Sequence, residues 1–237
     1  ILLIPLLGLY AFGVGGIFFI DDAPSMDGML AVNDWASAAH YVLGGTSGPL
    51  GRPLSLASFL LQKGAYPESA ASFLWVNILI HLTNVGLLWW LVRRLQRQLP
   101  DLLKGGEWLA PAVAFLWGVL PILASASLMV VQRMTTLSAL FVLLGVHAYL
   151  LAREQAQRQH WAGLVLSIGG IGLCTVLASL SKEKGVLLPL LLLVMHHVLF
   201  ASSSGQASDC APRRRRMQQM LGLILWLPGL LLLGYLA

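Results

Sequence analysis

Of 237 residues, 57% are hydrophobic and 11% charged, and the mean hydropathy is +0.78. A soluble domain of this length has no interior able to hide so much apolar surface, so composition excludes one and leaves a polytopic membrane protein. The formal net charge of +5 does not indicate nucleic-acid binding, because the basic residues divide along the chain instead of gathering in one patch.

Seven apolar runs are long enough to cross about 30 Å of hydrocarbon at about 1.5 Å per residue. They cover about 1–20, 70–92, 108–125, 134–152, 161–180, 185–201 and 220–237. The first is too long for a cleavable signal peptide and lacks a basic start, so it reads as a true span. The sequence begins inside one run and stops inside another, and reads as a stretch of a longer chain forming a single membrane module. Cytoplasmic loops retain Lys and Arg, and ten cations fall on one side of an alternating seven-span arrangement: Arg93, Arg94, Arg97, Lys104, Arg153, Arg158 and Arg213 to Arg216. The opposite side carries Arg52, Lys63, Arg133, Lys182 and Lys184 with Asp21, Asp22, Asp27, Asp34, Glu68 and Glu183. That acidic side is expected to face away from the cytoplasm. The predicted fold is an all-α transmembrane bundle with a long first extracytoplasmic loop bearing short interfacial helices.

In chain order, the first run ends directly in Asp21-Asp22. A carboxylate at the edge of hydrocarbon must be solvated or paired, which makes this pair a candidate for chemistry. The loop to Ser69 is too long for a plain connector. Ala31 to Val42 reads as a short helix with Trp35 and Tyr41 suited to the headgroup zone. Arg52 stands between Gly51 and Pro53, so an extended backbone is expected there; its side chain suits a phosphate or a lipid headgroup. In the second run Asn77, His81 and Asn84 share one helical face, which suits hydrogen bonding between helices or the lining of a cavity. Gln132-Arg133 opens the fourth run, where a guanidinium can grip phosphate with parallel donors or snorkel to the interface. Ser181-Lys182-Glu183-Lys184-Gly185 joins two runs with almost no loop, and three charges packed there are costly unless paired or ligand-bound. Cys174 lies in a run and Cys210 in a cytoplasmic loop, so no disulfide between them is expected. Walker, dinucleotide and zinc-protease motifs are absent.

The segments Phe18-Phe19-Ile20-Asp21-Asp22, Gly51-Arg52-Pro53-Leu54-Ser55, Val76 to Asn84, Val131-Gln132-Arg133 and Ser181 to Gly185 occur in the order seen in bacterial GT-C glycosyltransferases. Together they resemble relatives of the transmembrane-and-TPR O-mannosyltransferases over roughly residues 15 to 200. Leu120 departs from that pattern, since a His commonly precedes the proline there. The resemblance implies a catalytic module in a bacterial inner membrane with its active site on the periplasmic face. Its donor would be a polyprenyl-phosphate-linked sugar, and its acceptor a hydroxyl of a protein or glycan. Asp21 or Asp22 would be the general base. Arg52, Arg133 and Lys182 would bind donor phosphate, supported by Glu183, Lys184, Gln132, His81 and Asn77. The resemblance names no definite cofactor, and a divalent metal stays open. The Asp pair could hold a divalent cation, but no second carboxylate cluster accompanies it. Two other classes stay open: a transporter or flippase of lipid-linked glycans, expected to place ionisable groups near mid-span, and a non-enzymatic membrane scaffold.

Overall fold

The computed structural model describes residues 3–100 and 103–200. Run 220–237 and Arg213 to Arg216 lie outside them. Every regular element among the described residues is a helix, with no strand, and four helices are long and apolar enough to cross a membrane. These are α5 (Ala71–Gln98), α8 (Arg133–Gln157), α9 (Trp161–Ser181) and the segment Glu183–Phe200, which contains α10 (Leu188–Met195).

Two expected spans depart from single straight helices. In the first, α1 (Leu3–Ala11) stops after nine residues and turns follow. Gly8, Gly13, Gly15 and Gly16 supply no side chains to hold a helix there and weaken it intrinsically. In the third, α6 (Leu109–Gly118) and α7 (Pro121–Leu128) meet at a 60° bend. Pro121 occupies the first turn of α7, where its missing N–H costs nothing, and it cannot continue α6.

The long loop carries three short helices: α2 (Ala23–Met26), α3 (Trp35–Leu43) and α4 (Pro53–Leu60). Helix α3 starts four residues later than Ala31 because Asp34 caps it. The Asp34 side chain accepts from Ser37 N at 2.8 Å while the Ser37 hydroxyl accepts from Asp34 N at 3.0 Å. This reciprocal cap fixes the start.

The face shared by Asn77, His81 and Asn84 is buried and ties α5 to two breaks in the chain and to the first turn of α8. Asn77 Nδ2 donates to Met129 O at 2.9 Å, His81 Nε2 sits 3.1 Å from Gly118 O, and Asn84 Nδ2 donates to Thr136 O at 2.9 Å. Tyr10 OH of α1 also donates to Gly118 O, at 2.9 Å. Arg133 is the largest buried side chain, 0% exposed. Its Nε donates to Asn77 Oδ1 at 2.7 Å, Nη1 to Ser58 O at 3.1 Å and Nη2 to Phe73 O at 2.9 Å. The guanidinium also lies over the Phe59 and Phe73 rings, at 4.8 and 5.4 Å. One cation thus holds α4, α5 and α8 together at the end that carries the acidic loop, here called the acidic end. At the other, basic end Arg94 pairs with Glu154 at 2.7 Å.

Leaving a buried acceptor without its donor costs about 1–3 kcal/mol, and Arg133 serves three of them. Arg133→Leu should therefore lower the melting temperature of the detergent-solubilised protein far more than Arg158→Gln at the exposed end of α8, with Arg133→Lys intermediate. A melting temperature unchanged by Arg133→Leu would refute this role.

Candidate functional site

Four segments meet at the acidic end: residues 21–31, the glycine-rich turn before α4, the start of α8 and the corner between α9 and the Glu183–Phe200 segment. Arg52 does not take the extended backbone its neighbours predict. Proline closes the right-handed helical region to the preceding residue, and Arg52 uses the left-handed one instead, at φ 53° and ψ 47°. Gly51 precedes it at φ 67°, and the chain doubles back so tightly that Gly45 packs on the Gly51 carbonyl with no room for a side chain.

This turn delivers the guanidinium to Glu183, 131 residues away, as a fork: Nε to Oε1 at 3.0 Å and Nη2 to Oε2 at 3.1 Å. A left-handed non-glycine residue costs about 1–3 kcal/mol. Each hydrogen bond to a charged group contributes a similar amount, so the two-pronged contact offsets the strain. The pair stays reachable, its side chains 22% and 24% exposed.

Next to it, Lys182 Nζ donates to Thr135 Oγ1 at 2.6 Å, and that hydroxyl donates to Gln132 Oε1 at 2.7 Å. Burial, together with the positive charges of Arg52 and Lys184, holds the Lys182 ammonium below the usual lysine range, opposed by Glu183. An anion bound here would relieve that strain on the charged form. Lys184 is exposed. Ser55 Oγ donates to Ser181 O at 2.9 Å and clamps α4 to the end of α9.

The two aspartates differ. Asp22 is 0% exposed; its Oδ1 accepts from Val131 N and its Oδ2 from Phe19 N, each at 2.7 Å. Both carboxylate oxygens are engaged in pinning the end of the first run to the turn before α8. Asp21, its neighbour, is exposed and carries no hydrogen bond among the described residues.

Of the expected phosphate contacts, the structure brings Arg52 and Lys182 together. It leaves Arg133 underneath, each guanidinium nitrogen donating to a protein oxygen. Asn77 and His81 lie in the same buried layer, and Gln132 reaches the site through Thr135. Among the described residues no three His, Cys, Asp or Glu side chains group so as to hold a metal ion.

Beside the Arg52 turn opens a cavity of about 400 Å³, lined among others by Ser25, His40, Tyr41, Thr46, Ser47 and Leu56. Tyr41 OH donates to Ser25 O at 2.8 Å, and the Ser25 and Ser47 hydroxyls meet at 3.1 Å. Burial raises the Tyr41 phenol well above its ordinary range, so it is a standing donor. Comparison with protein-family models, curated proteins and solved structures finds no match.

Thr135, Gly48 and the hydroxyls of this cavity escape a motif reading. The one signal for them is the run of glycines at 44, 45, 48 and 51, which marks a chain folded tightly against something. At Gly48, with φ 91°, a Cβ would fall on the Glu183 carboxylate. Gly48→Ala should destabilise the protein by about 1–3 kcal/mol and, because it acts partly through Glu183, should cost less when added to Glu183→Gln. Melting curves of the two single variants and the double variant check this; strictly additive losses would remove the contact.

Proposed function

We propose that this chain is the catalytic module of a membrane glycosyltransferase that moves a sugar from a polyprenyl-phosphate-linked donor to an acceptor hydroxyl on a protein or glycan. The observation that carries the reading is the convergence of Arg52, Lys182 and Lys184 at the end of the helices that also carries the exposed Asp21 and, beside the Arg52 turn, a cavity lined by hydroxyls. A lipid-linked donor keeps its tail in the bilayer and its phosphate at the interface, so cations at helix ends stand at the depth where that phosphate would lie.

In the proposed reaction the acceptor oxygen attacks the anomeric carbon and the bond from that carbon to the phosphate oxygen breaks. The electron pair leaves with the phosphate, stabilised by Arg52 and Lys182, and the hydroxyl proton passes to Asp21. Asp21 suits this role better than Asp22, both of whose oxygens already accept backbone N–H groups. Glu183 orients the Arg52 fork, and Thr135 with Gln132 orients Lys182. Arg133 is assigned a structural role. The polar groups His81 and Asn84 within α5 bond backbone carbonyls of neighbouring segments, which favours this reading over a transporter with ionisable groups at mid-span.

Loss of a general base typically costs about 10²–10⁴ in rate. Asp21→Asn should therefore abolish release of polyprenyl phosphate from lipid-linked hexose donors while leaving the melting temperature unchanged. Asp22→Asn should mainly lower the melting temperature. Wild-type turnover in Asp21→Asn would end the general-base assignment.

For the phosphate contacts, Lys182→Ala should weaken binding of polyprenyl phosphate about tenfold, the scale of one charge-assisted hydrogen bond. Unaltered affinity in titrations of the folded variant would exclude Lys182 from that role.

A further inference from the structure

The basic end holds a second opening that the proposed reaction does not use. Helix α5 runs down to it and presents Trp89, Arg93 and Arg97 one turn apart on a single face, with Gln96 beside them. The chain then doubles back at Gly105 and Gly106, the latter at φ 61°, and Gln96 Nε2 donates to Gly106 O at 2.9 Å. That bond folds the 103–107 turn against α5, and between them lies an open cavity of about 330 Å³ lined among others by Arg93, Gln96, Arg97, Leu103, Lys104 and Glu107.

Among the described lining residues three cations face one acid, and with Asp101 of the same loop counted from the sequence the surroundings still carry a net positive charge. The contrast within α5 is informative. Arg94 turns toward α8 and is satisfied by Glu154 and by His147 O at 3.1 Å. Arg93, Arg97 and Lys104 form no ion pair among the described residues and share the cavity instead. Trp89, 47% exposed, lies one helical turn toward the hydrocarbon side of Arg93, and Trp108, 82% exposed, follows Glu107. Exposed tryptophans of this kind sit at headgroup depth, so the cavity opens where lipid phosphates lie.

We propose that this cavity binds the phosphate headgroup of an anionic phospholipid, with Arg93 and Arg97 on the phosphate, Lys104 closing over it from the turn, and the acyl chains passing Trp89 and Trp108. The site is independent of the glycosyltransferase reading. Juxtamembrane cations near an anionic surface each strengthen lipid binding about fivefold, and a cavity that converges three of them concentrates that gain on one bound lipid.

The test uses the full chain released from vesicles of mixed phosphatidylcholine, phosphatidylethanolamine and phosphatidylglycerol, with retained lipids counted by native mass spectrometry. Phosphatidylglycerol should be retained preferentially. Arg97→Gln and Lys104→Gln should each reduce its retention about fivefold, whereas Arg158→Gln, which removes one charge from an exposed position at the same end, should not. Melting curves verify that all three variants fold. Equal loss in all three would reduce the effect to general surface charge and overturn the site, as would retention unaffected by any of them. In a second arm, inorganic phosphate is titrated against protein carrying phosphatidylglycerol. Displacement of the lipid at millimolar phosphate would assign the cavity to a free anion instead; no displacement supports the lipid.

Discussion

Hydrocarbon cannot solvate a backbone N–H or C=O, so each place where a helix stops short inside this bundle must be satisfied by the protein itself. The polar side chains within the apolar helices meet that constraint. Gly118 O, left open where α6 bends into α7, accepts from Tyr10 OH and lies against His81 Nε2. Met129 O and Val130 O, ahead of α8, accept from Asn77. Phe19 N and Val131 N are taken by Asp22, and Ser181 O by Ser55. An unsatisfied buried group costs about 1–3 kcal/mol even in a soluble protein, so losing several of these bonds together would cost as much as a typical domain's net stability.

The same bonds set the geometry of the candidate site. Asp22 cannot tie the first run to the turn before α8 without placing Asp21 at the head of the bundle. Ser55 cannot cap α9 without bringing Arg52, three residues earlier, to the α9 corner where Glu183 and Lys182 stand. Arg133 adds rigidity from below by joining α4, α5 and α8 through Ser58, Phe73 and Asn77. A cation needed for phosphate would be poorly placed there, since three protein oxygens already hold it.

The two ends of the bundle treat charge differently. At the acidic end the cations are set among partners: Arg52 on Glu183, Lys182 on Thr135. At the basic end one arginine of α5 is turned inward to Glu154 while its neighbours on the adjoining face line an open cavity. Paired charges hold a fixed geometry, and uncompensated ones are free to meet an anion from outside.

Composition and the spacing of apolar runs determined that the described residues fold as helices, several of them long and apolar enough to cross a membrane, because apolar length decides whether a segment can cross hydrocarbon. The helical period placed Asn77, His81 and Asn84 on one face; α5, α8 and α9 start within a residue of the expected runs, while α5 continues to Gln98 and α8 to Gln157, beyond the expected ends at 92 and 152. Local sequence did not foretell the short α1 or the bend at Pro121, since both depend on what neighbouring chain is present to satisfy a broken helix. It left Asp21 and Asp22 as alternatives for one role and put Arg52, Arg133 and Lys182 on one footing for another. Only the tertiary structure separated them, because whether a charge is exposed, forked to a distant glutamate or sealed beneath two phenyl rings is decided by contacts between residues as far apart as Arg52 and Glu183.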